Sequence, residues 1–266
     1  MFNYKKENDK PSILFQGAFN YISGGVVGVI GGGIVGPFVY EDPTSVKEMF
    51  IRMGYETTVS KYMHHIFEEH MKEQDTPSER WKIGVAAGLV VGATNAVITT
   101  IRHNGQKYQK KKEKEGKQKE GKKKKCSLKN LVEMAKEEGI SSLFDGYLSQ
   151  AVGDSLFSAG YGLVGSYNHL WMDKKFKNVK SPIINQVVLP MARGALNGLE
   201  ATLLTRPIAW TARNLLQKGE VDPQRVVEKT WEDLKFLTAD IAIEVMLFGQ
   251  VKKLLIPAHN LAKKLI

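Results

Sequence analysis

The chain has 266 residues, of which 42% are hydrophobic, and carries 38 lysines and arginines against 28 aspartates and glutamates. Its single cysteine excludes a disulfide framework and any cysteine-based zinc or iron–sulfur site. The net charge of +10 is concentrated: residues 107–125 hold 11 lysines and 3 glutamates, a net of +8 that leaves +2 for everything else. The negative mean hydropathy has the same origin and does not exclude membrane insertion.

The opening MFNYKKENDK is polar, contains acids and is poor in arginine. Neither a cleavable secretory signal nor an ordinary mitochondrial presequence is expected from it, so targeting information would be internal. Residues 11–40 then run for thirty positions without a charge. A bilayer-spanning helix needs about 20 mostly apolar residues. Seven glycines crowd this stretch between Gly24 and Gly36. In water each would weaken a helix by roughly 1 kcal/mol relative to alanine; in lipid, small residues four apart let helices approach closely. No Gly-Lys-Ser/Thr follows, so a phosphate-binding loop is not expected.

Residues 55–80 are too polar to resemble an ordinary span. His64, His65, Glu68, Glu69 and His70 lie close together there, but neither HEXXH nor HXXEH spacing is present, and a solvated helix face is expected rather than a metal site. Residues 83–101 are again free of acidic and basic side chains, and the lysine-rich segment follows. With one aromatic, Tyr108, this segment lacks the interleaved stacking residues of a nucleic-acid arm; a flexible loop near anionic headgroups is expected, on the non-translocated side. Residues 128–171 read as an amphipathic helix ending near Gly139, a tight Phe144-Asp145-Gly146 turn, and a membrane helix. Two further apolar stretches, 181–205 and 236–256, carry Arg193, Glu200, Asp240 and Glu244, which at that depth must face a bundle interior or a wet cavity. A soluble helical protein with buried helices is the competing reading.

Three segments share a pattern. SGGVVGVIGGGIVGP (23–37), AAGLVVGATNAVITTI (86–101) and RGALNGLEATLLTRP (193–207) each hold two glycines four apart: Gly24 and Gly28, Gly88 and Gly92, Gly194 and Gly198. Nine residues after the second glycine come Pro37, Ile101 and Pro207. The repeat suggests duplicated helical hairpins.

With EEGISSLFDGY at 137–147, this arrangement resembles the mitochondrial carrier family. The resemblance implies an all-α membrane protein, a mitochondrial-carrier-like bundle of three helical-hairpin repeats with about six transmembrane helices. The repeats would cover 12–80, 81–173 (with a Lys-rich loop at 106–126) and 181–266, forming one carrier-like domain over 1–266. Pro37 and Pro207 would be the kinks, and the six glycines just named the helix-packing positions. The first repeat is expected to be shortened, or its second helix reduced. Family members close by ion pairs built from an acid two residues and a base five residues after each kink. Here those positions hold Val39 and Asp42, His103 and Gln106, and Ala209 and Ala212, so the latch is expected to be missing. The opposite gate would use Gly165, Ser166 and His169 in the fourth helix and Phe248, Gly249 and Lys252 in the sixth, of which only Phe248 and Lys252 fit.

The resemblance places the chain in the mitochondrial inner membrane as a multi-pass protein. A non-transporting accessory subunit of a larger assembly, such as a respiratory-chain complex, is the first functional expectation. A divergent solute transporter is the second, with Gly153, Asp154, Arg193, Glu200 and Asp240 as cavity residues. No catalytic constellation, metal site or cofactor is expected; a bound phospholipid such as cardiolipin would fit. Expected partners are membrane lipids and other inner-membrane subunits, not nucleic acid.

Overall fold

The computed structural model describes residues 13–39, 46–70, 80–114 and 128–265. Long helices dominate it: α1 (Ile13–Val39), α2 (Val46–His70), α3 (Arg80–Lys114), α5 (Tyr147–Phe176), α6 (Leu189–Lys218) and α7 (Pro223–Leu265). One short helix, α4 (Leu128–Glu137), and a 3-10 turn (Ile140–Phe144) lie between α3 and α5. Local chemistry marks the ends. Gly146 takes φ +77° before α5 and Gly219 takes φ +74° after α6, the left-handed conformation that costs glycine no Cβ clash. The Gly219 N–H donates to the Leu215 carbonyl at 3.0 Å. Asp222 starts α7, its Oδ1 accepting from the Arg225 N–H at 3.2 Å.

The six long helices close a ring. In order around it, α1 touches α2, α2 touches α3, α3 touches α5, α5 touches α6, α6 touches α7, and α7 returns to α1. Glycines set three of these seams. On α1, Gly24 lies against the Met53 carbonyl and Thr57 of α2. On α3, Gly84, Gly88 and Gly92 lie against the backbone of Gly162, Ser158 and Asp154 of α5. On α6, a Cβ on Gly194 would sit 2.7 Å from the Ile241 carbonyl of α7, and one on Gly198 3.2 Å from Thr238 Cα. Each of these helices thus packs by its glycine face on the next long helix in the chain. Gly28 is buried. Pro37 falls in the last turn of α1, and Pro207 lies inside α6, which continues through it to Lys218. Proline supplies no N–H to the ladder there.

The structure departs from the sequence reading in two places. First, α2 is not a reduced remnant: it is a 25-residue helix seated between α1 and α3. Second, the lysine-rich segment is not a loop from its start, because α3 continues as helix through Lys114. Tyr108 is buried there, its hydroxyl donating to Glu137 Oε2 at 2.7 Å, while Lys112 pairs with Glu137 (2.7 Å) at the end of α4 and Lys111 with Glu138 (2.8 Å) just after it. One turn earlier, Asn104 donates to the carbonyls of Ser142, Leu143 and Asp145, fixing the turn into α5. Residues 115–127 lie outside the described part. Among the described residues one helix, over Arg80–Lys112, is long and apolar enough to cross a membrane by length and composition. Helices α2, α5, α6 and α7 carry ionisable groups that lower their mean hydropathy, and several of these groups are used between helices, as described below.

The outer surface is strongly apolar where it is described. Leu203, Leu204 and Ile208 of α6 are exposed, as are Trp171 of α5 and Trp231 of α7 near opposite ends of the bundle. Apolar exposure of this kind marks a contact with lipid or protein.

Because Gly88 meets backbone rather than a flexible side chain, Gly88→Leu should separate α3 from α5. We expect its unfolding temperature in detergent to fall by roughly 5–10 °C. Gly249→Ala, inside α7 with open space at its Cβ, should not lower it and should raise it slightly if anything changes.

Candidate functional site

The ring encloses a cavity of about 600 Å³ lined by α1, α2, α3, α5 and α7. The antiparallel pairing of α3 and α5 gives its depth. Gly84 faces Gly162 and Gly88 faces Ser158, so Val91 and Phe157 lie at the inner end and Arg80, Ser166 and His169 at the outer end. Val27 of α1 adds to the apolar inner wall, while Ile241 of α7, level with Gly194 and Gly198 of α6, lines the cavity nearer its outer part. Lys61 of α2, Arg80 of α3 and Glu244 of α7 bring both signs of charge to the outer part. The polarity of α2 is explained by this arrangement. Its Glu56, Thr57, Ser60 and Lys61 share one face and line the cavity, while Ile51 and Tyr62 are exposed on other faces.

Phe157 closes the inner end. Its ring lines the cavity and also carries the Arg206 guanidinium, whose central carbon lies 4.5 Å from the ring centroid. Beyond it lies a layer of charges. Arg213 Nη2 donates to Asp154 Oδ1 at 3.1 Å, joining α6 to α5. Gln150 Nε2 donates to both oxygens of the same carboxylate, at 3.0 and 2.8 Å. Arg206 Nε lies 3.3 Å from Asp233 Oδ2, an ion pair that joins α6 to α7 without the angle of a hydrogen bond. Trp210 Nε1 donates to that Asp233 oxygen at 3.0 Å. A helix seam with a charge pair therefore exists at this end, although the positions two and five residues after Pro207 hold only alanine. The sequence reading missed it because the bases come one residue before and six residues after the proline. A search for any arginine on α6 within one turn of Pro207, or one turn further, would have flagged both.

None of the five expected cavity residues lines the cavity. Gly153 packs against the Arg213 guanidinium, which a Cβ would strike. Asp154 belongs to the charge layer. Arg193 Nη2 donates to Asp173 Oδ1 at 2.6 Å, at the other end of the α5–α6 seam, and His169 Nδ1 lies 2.7 Å from Asp173 Oδ2. Glu200 accepts from Asn168 Nδ2 at 2.8 Å, and the same amide donates to Asn197 at 2.9 Å. Asp240 sits half-buried on α7, beside the cavity residue Ile241. The common reason is that α6 is kept off the cavity by α5 and α7, so charges on or facing α6 pair across seams instead. Among the described residues no group of acids, histidines and cysteines could hold a metal ion. Of the crowded histidine segment, His65 is exposed, and the side chains of His64 and 67–70 lie outside the described part.

Both members of the Arg213–Asp154 pair are largely shielded from water. Removing one member strands the other, which typically costs about 3 kcal/mol. Arg213→Ala and Asp154→Ala should each destabilise by that order, and the double variant by clearly less than the sum. Thermal unfolding of the four proteins in one detergent checks this.

No curated protein matches the chain at a significant level. Residues 73–175, which take in α3, α4 and nearly all of α5, match the family described as mitochondrial carrier protein.

Proposed function

We propose that this chain is a carrier-derived, multi-pass protein of the mitochondrial inner membrane that does not transport. Its bundle serves as an accessory, structural subunit of a larger membrane assembly such as a respiratory-chain complex. One observation carries the reading. The α5–α6 seam is ion-paired at both ends in a single conformation, by Arg193 with Asp173 and by Arg213 with Asp154. The two arginines are twenty positions apart, about 30 Å along α6. Alternating access requires the contacts of one end to break as those of the other form. A seam held at both ends together, and joined onward to α7 through Arg206, suits a rigid scaffold. Membrane lipids and neighbouring subunits are the partners this reading calls for, with cardiolipin as a fitting bound lipid. No enzymatic step is proposed.

A second reading, a divergent solute transporter, is favoured by one feature, the cavity with charges of both signs at its outer part. The two readings separate by native size and by uptake. As a subunit, the protein should migrate from gently solubilised mitochondrial membranes at several times its 29.7 kDa mass with a fixed set of partners. Reconstituted alone, it should give no uptake of anionic metabolites above empty vesicles. Migration as a lone chain together with saturable uptake abolished by Lys61→Ala would establish the transporter instead.

A further inference from the structure

We propose that the central cavity is a binding site for a membrane amphiphile, with an anionic headgroup between Lys61 and Arg80 and an acyl chain running inward toward Val91 and Phe157. The inference holds whether or not the chain transports.

Three observations carry it. The cavity is divided along its length, with Lys61, Arg80 and Glu244 at the outer part and Val27, Val91 and Phe157 at the inner end, Glu56 of α2 standing between them. A polar solute would find little to bond with on that apolar wall, whereas a hydrocarbon chain gains by leaving water there. The two cations stand on the two sides of one seam, Lys61 on α2 and Arg80 on α3. The carboxylates of Glu56, a turn and a half further inward on α2, and of Glu244, across the cavity on α7, leave the rim between Lys61 and Arg80 as the part of the wall that favours an anionic head. The seams also differ. The α3–α5 seam is closed by backbone on backbone and the α5–α6 seam by ion pairs, while among the described residues α2 and α3 make the slightest contact of any neighbours in the ring. That seam is the side entrance through which an acyl chain would pass from the surrounding lipid, beneath a head held by the cations that flank it.

A fatty-acid carboxylate and the phosphate of a single-chain phospholipid share this chemistry. The full-length protein, purified in a mild non-ionic detergent, is examined by native mass spectrometry and lipid extraction, then titrated with oleate and with oleoyl-lysophosphatidate. We expect one amphiphile retained per chain and saturable binding of at least one of the two probes. The stronger of the two identifies the headgroup. The double variant Lys61→Gln/Arg80→Gln should weaken that binding by at least about tenfold. Ile83→Trp, which fills the cavity without changing a charge, should displace the retained amphiphile while keeping the helical content and elution volume of the wild type. Absence of both retained amphiphile and saturable binding in the wild type would overturn the proposal. So would a double glutamine variant that folds and binds either probe as tightly as the wild type. Neither failure would alter the native size on which the subunit reading depends.

Discussion

The contact between α3 and α5 is the constraint on which the remaining structure depends. At Gly84, Gly88 and Gly92 the two backbones meet with no side chain between them. Such close approach removes the freedom of α5 to rotate or slide, because every alternative register would force a Cβ or a longer side chain into the facing backbone. With α5 fixed, Phe157 is directed to the inner end of the cavity, Asp154 to α6, and the Asn168 amide to Glu200 and Asn197. The turn that feeds α5 is fixed as firmly by the three hydrogen bonds from Asn104. Helix α3 therefore positions α5 from both its middle and its end.

Helix α6 then spends its charges on holding its neighbours. Arg206 and Arg213 point to different helices, α7 and α5, and Phe157 and Trp210 lie under their guanidinium groups. Arginine suits this role because its planar, weakly hydrated group stacks on rings and bonds carboxylates at once. A buried ion pair contributes little net stability compared with an apolar pair, but losing half of it is costly. Such pairs therefore specify which helices meet more than they strengthen the bundle. Arg193 does the same at the far end with the more exposed Asp173, where solvent weakens the attraction.

Polarity in α2 has a different use. A helix with Glu56, Thr57, Ser60 and Lys61 on one face cannot present that face to hydrocarbon at acceptable cost. Placed in a ring, it turns the face inward and makes a polar wall of a cavity whose inner end is apolar. The mixed interior is thus a consequence of closing six helices, one of them polar, around a space that α6 does not reach.

The sequence by itself determined the local elements and their contact faces. Glycine spacing marked the packing stripes of three helices, because only small residues at that period allow close approach, and Gly139 and Gly146 marked the boundaries around α4 and α5. The tertiary structure alone decided which charges meet. Asp154, Arg193, Glu200 and Asp240 look like cavity residues in a linear reading, since ionisable groups in apolar stretches must face inward. But inward has two meanings in a ring, toward the central space or toward a neighbouring helix, and the seam won for Asp154, Arg193 and Glu200. The partners Arg213, Asp173 and Asn168 are 59, 20 and 32 residues away in the chain. No spacing rule links residues at such separations; the rotation of each helix about its own axis does, and that rotation is fixed by packing.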